Sequence, residues 1–585
     1  KAKAKKTFNV SALVAASLAN GKVLNYRASL PEGKRKILYV DTEQSRYHCH
    51  NVLERILKLA GLPTSIDNEN LDFICLREYT PSVRIEVIDY ALAQDQSYGL
   101  VIIDGIRDLL LDINNAGESV EVINKMMEWS SKYDLHIHCV LHLNKGDNNV
   151  RGHIGTEMNN KAETVLVITK SADISYAGCG LPYYVGGSIE NREELIVNTP
   201  QKYRGLTGVE VLTLREATHV DPAAKVVTAQ NLENGQEETY SYDKLIVATG
   251  ASAVKLPLPG VDLNGVFPMR APEDAITMRD YLEANGVKKA VVIGGGFIGL
   301  ELAENLFDRG ISVTVVEVAS QILSGVLDGE MAGYVQRHLQ QKGIRVLTGT
   351  KATALVGDGK VEGVQTDAGL LPCGAVVVSA GIRPNTAFLE GTGIQMEKGA
   401  IVVDECLATS VADIYAAGDC ALVKNRLTGK AQYSPMGSSA NLEGRTLAQN
   451  LNGENKTYPG VLGTGVVKLP GLNVGRTGLT ESAAKEAGYD VETVVAVTDD
   501  KAHYYPGAAF FITKLLADRN THQLLGVQVL GPGAVDKMVD IAVVGLSMGL
   551  KLEDFENLDL AYAPPFSTAI HPFVQAVYVL ENKLS

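Results

Sequence analysis

"KAVVIGGGFIGLELAENLFDRGISVTVVEV", Lys289 to Val318, decides the fold. A valine- and isoleucine-rich run ends at Gly294, a helical segment follows, and a second apolar run ends at Glu317. That order is a complete βαβ unit. Gly294, Gly296 and Gly299 give G-x-G-x-x-G directly after the strand and at the opening of the helix. The first glycine permits the tight turn, the second lets the backbone approach a pyrophosphate, and the third lets helix pack close to strand. The helix N-terminus then offers free amides to phosphates. Glu317 stands where a carboxylate reaches the adenine-side ribose, accepts from its 2′ and 3′ hydroxyls and repels a 2′-phosphate. The stretch predicts a dinucleotide site that favours NADH, with NADPH as the alternative.

Similar strands recur on both sides of this unit. "KILYVDTE", "GLVIIDG", "IHCVLHL", "ETVLVITK", "KLIVATGA" and "AVVVSAGI" are short apolar runs with polar ends, alternating with helical patterns. Such runs suit parallel strands covered on both faces, so the predicted class is α/β, doubly wound and repeated. Two stretches imply a second dinucleotide: "DKLIVATGA", which runs into Thr249 and Gly250, and "ADIYAAGDCA", which places Gly418 and Asp419 after a short strand. After about Pro459 the pattern changes. "GTGVVKLPGLNVGRTGLTE", "AAFFITKLLAD" and "HQLLGVQVLGP" read as antiparallel strands, and "DKMVDIAVVGLSMGL" reads as a helix. They predict a separate α+β domain.

Length and composition agree with several domains. At about 150 residues per domain, 585 residues suggest three to five, and an apolar content of 45% supports several cores. The net charge of −14 argues against broad contact with nucleic acid or anionic lipid. The sequence holds no run of about 18 uncharged apolar residues, so no membrane helix is expected. "KAKAKKTF" at the start lacks the apolar core of a secretory signal. Seven scattered cysteines without a C-x-x-C pair or zinc spacing predict reduced thiols, a cytoplasmic location and no metal site.

One cysteine stands apart. Cys179, in "ISYAGCGLPYYVGG", sits between two glycines and is followed by a proline and two tyrosines. Few structural cysteines have such neighbours. Attack by this sulfur requires thiolate, which a helix end or a cationic neighbour favours. Cys373, Cys406 and Cys420 read as packing residues.

From about Ile174 onward the chain resembles the flavin-dependent pyridine nucleotide-disulfide oxidoreductases. The likeness is to the single-cysteine branch of coenzyme A-disulfide reductase, NADH oxidase and persulfide reductase. The matching motifs are "YAGCGLPYY", "ATGA", "GGGFIGLELAE", "SAGIRPN", "AAGDCA", "YYPGA" and "YAPPFS". The resemblance implies FAD, with Asp419 near its ribityl and pyrophosphate portion and Glu301 close to the nicotinamide. It implies that Cys179 is the redox-active sulfur, carrying coenzyme A as a mixed disulfide or taking it as substrate. The position five after Cys179 is Tyr184, so the C-x-x-x-x-C pair of the two-cysteine relatives is absent. A mixed disulfide, a sulfenate and a persulfide remain open. Tyr504 and Tyr562 match tyrosines that the family brings from the partner subunit, which implies a homodimer acting on a small disulfide or persulfide. Ser175 is a further candidate for substrate contact. Gly178 stands where many relatives have asparagine.

The front of the chain departs from that pattern. The family carries a first G-x-G-x-x-G for FAD some thirty residues before the cysteine; here the segment reads "GHIGTEMNNKAETVLVITKSAD", and Thr169 stands where a ribose-binding carboxylate is expected. Activity therefore hinges on whether FAD is retained. Residues 1–172 instead resemble a RecA-like P-loop ATPase of the replication or mobile-element type. Asp104 suits Mg²⁺ through water, Glu43 suits the base for an attacking water, and Lys6 and Thr7 suit the end of a Walker A loop whose glycines are not in the sequence. Lys145 and Arg151 are candidates for reaching a neighbouring phosphate.

The expected organisation is a RecA-like domain at 1–172, a discontinuous FAD-binding domain at 173–275 and 388–457, an NAD-binding domain at 276–387 and a dimerisation domain at 458–585. The leading expectation is an FAD-dependent NAD(P)H reductase of coenzyme A disulfide or a related sulfur substrate. The alternatives are an ATPase with a passenger reductase fragment and an inactive NAD-binding fusion.

Overall fold

The computed structural model describes residues 2–24, 26–111, 116–140 and 165–585. The chain divides into two compact units, one of residues 1–167 and 200–212, the other of residues 168–199 and 213–585. Helix Pro200–Thr207 and strand Glu210–Leu212 thus group with the first unit, where the Glu210 amide donates to the Val165 carbonyl.

The first unit contains β1 (Lys36–Asp41), β2 (Leu71–Cys75), β3 (Tyr98–Asp104) and β4 (His136–Val140). They form a parallel sheet in the order β2-β1-β3-β4. Side chains alternate across a strand, and both faces are covered. Ile37, Tyr39, Leu100 and Ile102 pack in one core, with residues of α1 (Ala2–Leu18) and α2 (Arg46–Ala60). Leu38, Val40, Val101 and Ile103 pack in the other, with α3 (Pro81–Gln94) and α4 (Ala116–Tyr133). Burial on both faces is why these strands read as near-continuous apolar runs. Among the described residues, no helix is long and apolar enough to cross a membrane.

In the second unit the decisive stretch folds as its pattern predicts. β5 (Val266–Phe267), β6 (Lys289–Ile293), β7 (Ser312–Val316), β8 (Arg345–Leu347) and β9 (Ala375–Val378) form a parallel sheet in the order β5-β9-β6-β7-β8. α5 (Phe297–Asp308) connects β6 to β7. Gly294 has φ +115°, and a Cβ there would lie 2.4 Å from the Ser379 carbonyl oxygen. A Cβ on Gly299 would lie 2.1 Å from the Gly294 carbonyl oxygen. These two glycines are demanded by close packing. Gly296 has nothing within 4 Å of its Cβ position, so its surface is free for a ligand.

The last part of this unit is antiparallel. β10 (Gly465–Leu469), β11 (Leu472–Gly478), β12 (Val491–Asp499), β13 (Phe510–Asp518) and β14 (Leu524–Gly531) form one sheet in the order β10-β11-β14-β13-β12. α6 (Val535–Met548) and α7 (Pro572–Leu584) bury their apolar stripes against it. This is the α+β layer expected from the change of pattern after Pro459.

Candidate active site

Cys179 is exposed on a single tight turn, Gly178–Gly180, that leads directly into the short helix Leu181–Gly186. Pro182 stands in the first turn of that helix and the left-handed Gly187 ends it. The helix is tied to α5: the Arg309 guanidinium donates to the Val185 carbonyl at 2.7 Å. One turn beyond Cys179, the Tyr183 hydroxyl donates to Glu301 Oε1 at 3.5 Å. Glu301 lies in α5, close behind the glycine turn. The thiol-bearing turn and the glycine-bearing helix are therefore neighbours, although Tyr183 and Glu301 are 118 residues apart.

The electrostatics of this junction are unusual. Burial pushes the Glu301 carboxyl up to about 7, with the Tyr183 hydroxyl opposing the rise and the charge of Glu304 adding to it. Burial and then the Glu301 charge push the Tyr183 phenol up to about 12. Glu304, one helical turn further on and 1% exposed, is neutralised by an ion pair with Lys468 of β10. Asn305 Nδ2 also donates to Glu304, at 3.1 Å.

Glu317, at the end of β7, accepts the Gly295 amide at 2.6 Å and the Ala319 amide at 2.8 Å. Its carboxylate thereby pins the glycine turn.

Asp419 belongs to a second cluster. Strands Leu245–Val247 and Ile414–Ala416 pair in parallel, and the sharp turns that follow them carry Thr249–Gly250 and Gly418–Asp419. Asn385 of the "SAGIRPN" stretch clasps the first turn. Its carbonyl accepts the Thr249 hydroxyl at 2.7 Å, and its amide nitrogen donates to the Gly250 carbonyl at 3.0 Å. Glu443 accepts the Gly418 amide at 2.7 Å. Arg270 pairs with Asp419 at 2.5 Å and donates to the Ala251 carbonyl at 2.8 Å. The Tyr176 hydroxyl, three residues before the thiol, donates to the Arg270 carbonyl at 3.5 Å. The Cys179 loop thus touches both dinucleotide-type clusters.

Tyr504 and Tyr562 come together on the C-terminal domain. Both are exposed, at 66% and 50%, and the neighbouring Tyr562 phenol raises the Tyr504 pKa. Among the described residues, neither phenol is hydrogen-bonded to Cys179. Cys373 and Cys420 are buried, as packing residues should be, and Cys406 is half-buried.

In the first unit, Asp104 Oδ2 accepts the Tyr39 hydroxyl at 2.9 Å, while the Glu43 amide donates to Asp41 at 3.0 Å. Burial, and then the charge of Glu43, raise the Asp108 carboxyl pKa. Glu43, Asp104 and Asp108 therefore share one acidic edge of the sheet. Lys6 and Thr7 fall within the backbone of α1; their side chains, and all of Lys145 and Arg151, lie outside the described residues. Among the described residues there is no cluster of His, Cys, Asp and Glu suited to a metal ion.

Sequence reasoning passed over Arg270, Glu443, Lys468, Tyr176 and Tyr183. Arg270 had one local signal, a position just ahead of the Pro272 that starts a helix. The rest act through contacts with distant segments.

A parallel dinucleotide-type sheet, a second pair of turns and an exposed thiol between them define a nucleotide-dependent thiol protein. Comparison with known proteins makes the class specific. The family model for pyridine nucleotide-disulphide oxidoreductase matches residues 153–438, and the model for the dimerisation domain of that family matches residues 466–573. The NADH oxidase of Methanocaldococcus jannaschii is 35% identical over 427 residues, 73% of this chain and 95% of the relative. The CoA-dependent NAD(P)H sulfur oxidoreductase of Pyrococcus furiosus is 36% identical over 71% of this chain and 93% of its own length. Among solved structures, a NAD-dependent persulfide reductase from A. fulgidus superposes with a TM-score of 0.70 at 37% identity, covering 73% of this chain and 80% of that one. Reduced CoADR-RHD of Bacillus anthracis gives 0.70 at 32% identity, covering 72% and 76%. The chain belongs to the pyridine nucleotide-disulphide oxidoreductase family.

Proposed function

We propose that the protein is an FAD-dependent NAD(P)H reductase of coenzyme A disulfide or a related disulfide or persulfide, working through Cys179. The observation that carries this reading is the exposed Cys179 turn, linked through Tyr183 and Glu301 to the helix that opens at Gly294–Gly299. The Cys179 thiolate attacks one sulfur of the substrate. The substrate S–S bond breaks, one thiolate leaves, and a Cys179 mixed disulfide forms. Two electrons from NAD(P)H then restore the thiolate and release the second thiol. Tyr504 and Tyr562 of the partner subunit in a homodimer would hydrogen-bond or protonate the leaving thiolate.

Two features bear on whether the chain fits FAD. Gly418 turns at φ +77° with its amide held by Glu443, and the adjacent Asp419 is held by Arg270. That ordered, charged turn suits the ribityl and pyrophosphate end, with Thr249, Gly250, Gly418 and Asp419 as the holding residues. At the adenosine end, Thr169 offers a hydroxyl in place of a carboxylate. FAD, when bound, supplies a two-electron relay between nicotinamide and sulfur. Gly294, Gly296, Gly299 and Glu317 would hold NADH, and Glu301 would face its nicotinamide end. The family's own dependence on FAD and NAD(P)H supports both assignments.

The domain boundaries follow the same reading: 1–172, then 173–275 with 388–457, then 276–387, then 458–585. Unpaired cysteines throughout suit a reducing, cytoplasmic setting. The test is an absorption spectrum of the purified protein. The flavin bands should bleach on anaerobic addition of NADH and return on addition of coenzyme A disulfide. In Cys179→Ser the bleaching should persist and the return should fail. Equal return in the variant would remove Cys179 from the reaction.

A second reading applies to residues 1–172. The acidic edge of Glu43, Asp104 and Asp108 favours a RecA-like ATPase-type domain, in which Asp104 would hold Mg²⁺ through water and Glu43 would serve as base. Mg²⁺-dependent ATP hydrolysis that falls in Asp104→Ala would support it, and no ATP binding at millimolar nucleotide would remove it.

A further inference from the structure

Two thiols of the first unit converge on one carbonyl oxygen. Cys75 ends β2, and its register partner is Asp41, the last residue of β1. Cys49 lies in the first turn of α2, which begins directly after the turn that leaves β1. The Cys75 thiol donates to the Gln44 carbonyl at 3.4 Å, and the Cys49 thiol donates to the same oxygen at 3.7 Å. Both sulfurs are reduced and belong to no metal-ligating group among the described residues.

The frame around that oxygen is held from several sides. Asp41 Oδ1 accepts the Gln44 backbone amide at 2.8 Å, and Asp41 Oδ2 accepts the Gln44 side-chain amide at 2.8 Å. The Asp41 carbonyl accepts the amide of Leu76, the residue after Cys75, at 2.8 Å. The Cys49 amide donates to the Ser45 carbonyl at 2.9 Å. Both sulfur-bearing segments are thus fixed to the same turn. The two thiols differ in access: Cys49 is 4% exposed, whereas Cys75 is half-buried. Burial, then the Asp41 charge and the neighbouring Cys75 thiol, raise the Cys49 pKa. Cys49 therefore holds its proton near pH 7, and Cys75 is the thiol that a small molecule reaches first.

We propose that Cys49 and Cys75 form a reversible redox pair, oxidised to an internal disulfide by a small-molecule disulfide such as oxidised glutathione. Cys75 attacks one sulfur of that molecule. Its S–S bond breaks, one thiolate leaves, and a mixed disulfide forms on Cys75. Cys49 then attacks the Cys75 sulfur, the mixed disulfide breaks, and the second thiolate leaves. Each leaving thiolate takes up the proton of the thiol that displaced it. Two protein thiols are oxidised, and one small disulfide is reduced to two thiols. Delivery of Cys49 from the same turn offsets its weak acidity. The new bond ties α2 to the end of β2 and staples the turn that holds Gln44. The proposal does not depend on the reductase reading, because Cys179 takes no part in it.

The test is peptide mapping of the full chain carrying Cys179→Ser, which removes the exposed competing thiol. The protein is treated with oxidised glutathione, quenched with N-ethylmaleimide and digested without reductant. Mass spectrometry should find the Cys49 and Cys75 peptides joined, and dithiothreitol should separate them. This measurement needs no change at either thiol. With Cys49→Ala added, the reaction should stop at a glutathione adduct on Cys75. With Cys75→Ala added, modification of Cys49 should be slower by about tenfold or more, because the more accessible thiol that starts the exchange is gone. Absence of the joined peptides in the folded chain, their formation only in urea, or pairing of either thiol with a different cysteine overturns the proposal.

Discussion

Among the described residues, the four-stranded and five-stranded parallel sheets have C-terminal edges that look alike in sequence and differ in space. Each sheet has a central strand that runs into a glycine: Asp104 is followed by Gly105, and Ile293 by Gly294. Each edge has a strand-end acid, Asp104 in one and Glu317 in the other. In the first unit the glycine turn is walled in by side chains. Gly105 has φ +103°, and a Cβ there would lie 2.4 Å from Thr42 Oγ1 and 2.6 Å from Glu43 Cγ. Asp104 is occupied by Tyr39, and Asp41 by the amides of Glu43 and Gln44. In the second unit the acid braces the turn from behind, and Gly296 opens onto free space. Ligands of α/β sheets bind beyond the strand ends, and at these two edges backbone shape, more than charge, decides whether a ligand can approach the glycine itself.

The strongest way to break this comparison is to ask which edge the disulfide chemistry needs. Cys179→Ser should lower coenzyme A-disulfide reduction by about a thousandfold or more, while Asp104→Asn leaves it unchanged. Dependence on Asp104 in steady-state rates would couple the edges and end the contrast.

Next comes the backbone. Gly299→Ala forces a contact with the Gly294 carbonyl and should destabilise the fold by about 2–3 kcal/mol with loss of NADH binding. Gly296→Ala meets nothing in the protein, so it should melt normally and still weaken NADH about tenfold by crowding the pyrophosphate. Gly105→Ala should cost about 1–3 kcal/mol through its left-handed backbone with no effect on NADH. Chemical denaturation with NADH titration separates the three. A normal NADH affinity in Gly296→Ala would show that the open glycine is not where the cofactor lies.

A smaller effect is expected at the acid. Glu317→Gln should weaken NADH by about tenfold and narrow its advantage over NADPH. Unchanged ratios of kcat/KM for the two cofactors would remove Glu317 from the ribose.

The smallest effect is a slope with pH. Burial raises the Glu301 carboxyl from its ordinary 4.5 to about 7. A raised folded-state pKa contributes stability that is fully present below 4.5 and is lost as pH rises through 7. The melting temperature of wild type should therefore fall relative to Glu301→Gln across that window. Parallel curves would mean that the carboxylate is not held away from water.

Much of this was legible along the chain. The glycine spacing, the run lengths and the shift to antiparallel strands after Pro459 are local signals, and local backbone sterics translate them directly into turns and strands. The motif containing Cys179 was equally plain, because a thiol flanked by glycines suits no core. The clasp of Asn385 around Thr249–Gly250 was not legible, because it joins two segments that lie 136 residues apart.

The sequence by itself determined the βαβ unit, the placement of its three glycines and the single thiol, since each depends on residues within one turn or one strand. Only the tertiary structure decided that Tyr183 meets Glu301, that Arg270 holds Asp419, that Lys468 neutralises Glu304, and that Gly105 is walled in while Gly296 is free. Those outcomes join residues more than a hundred positions apart or depend on how much space the fold leaves. Packing sets both, and packing has no period that can be read along a chain.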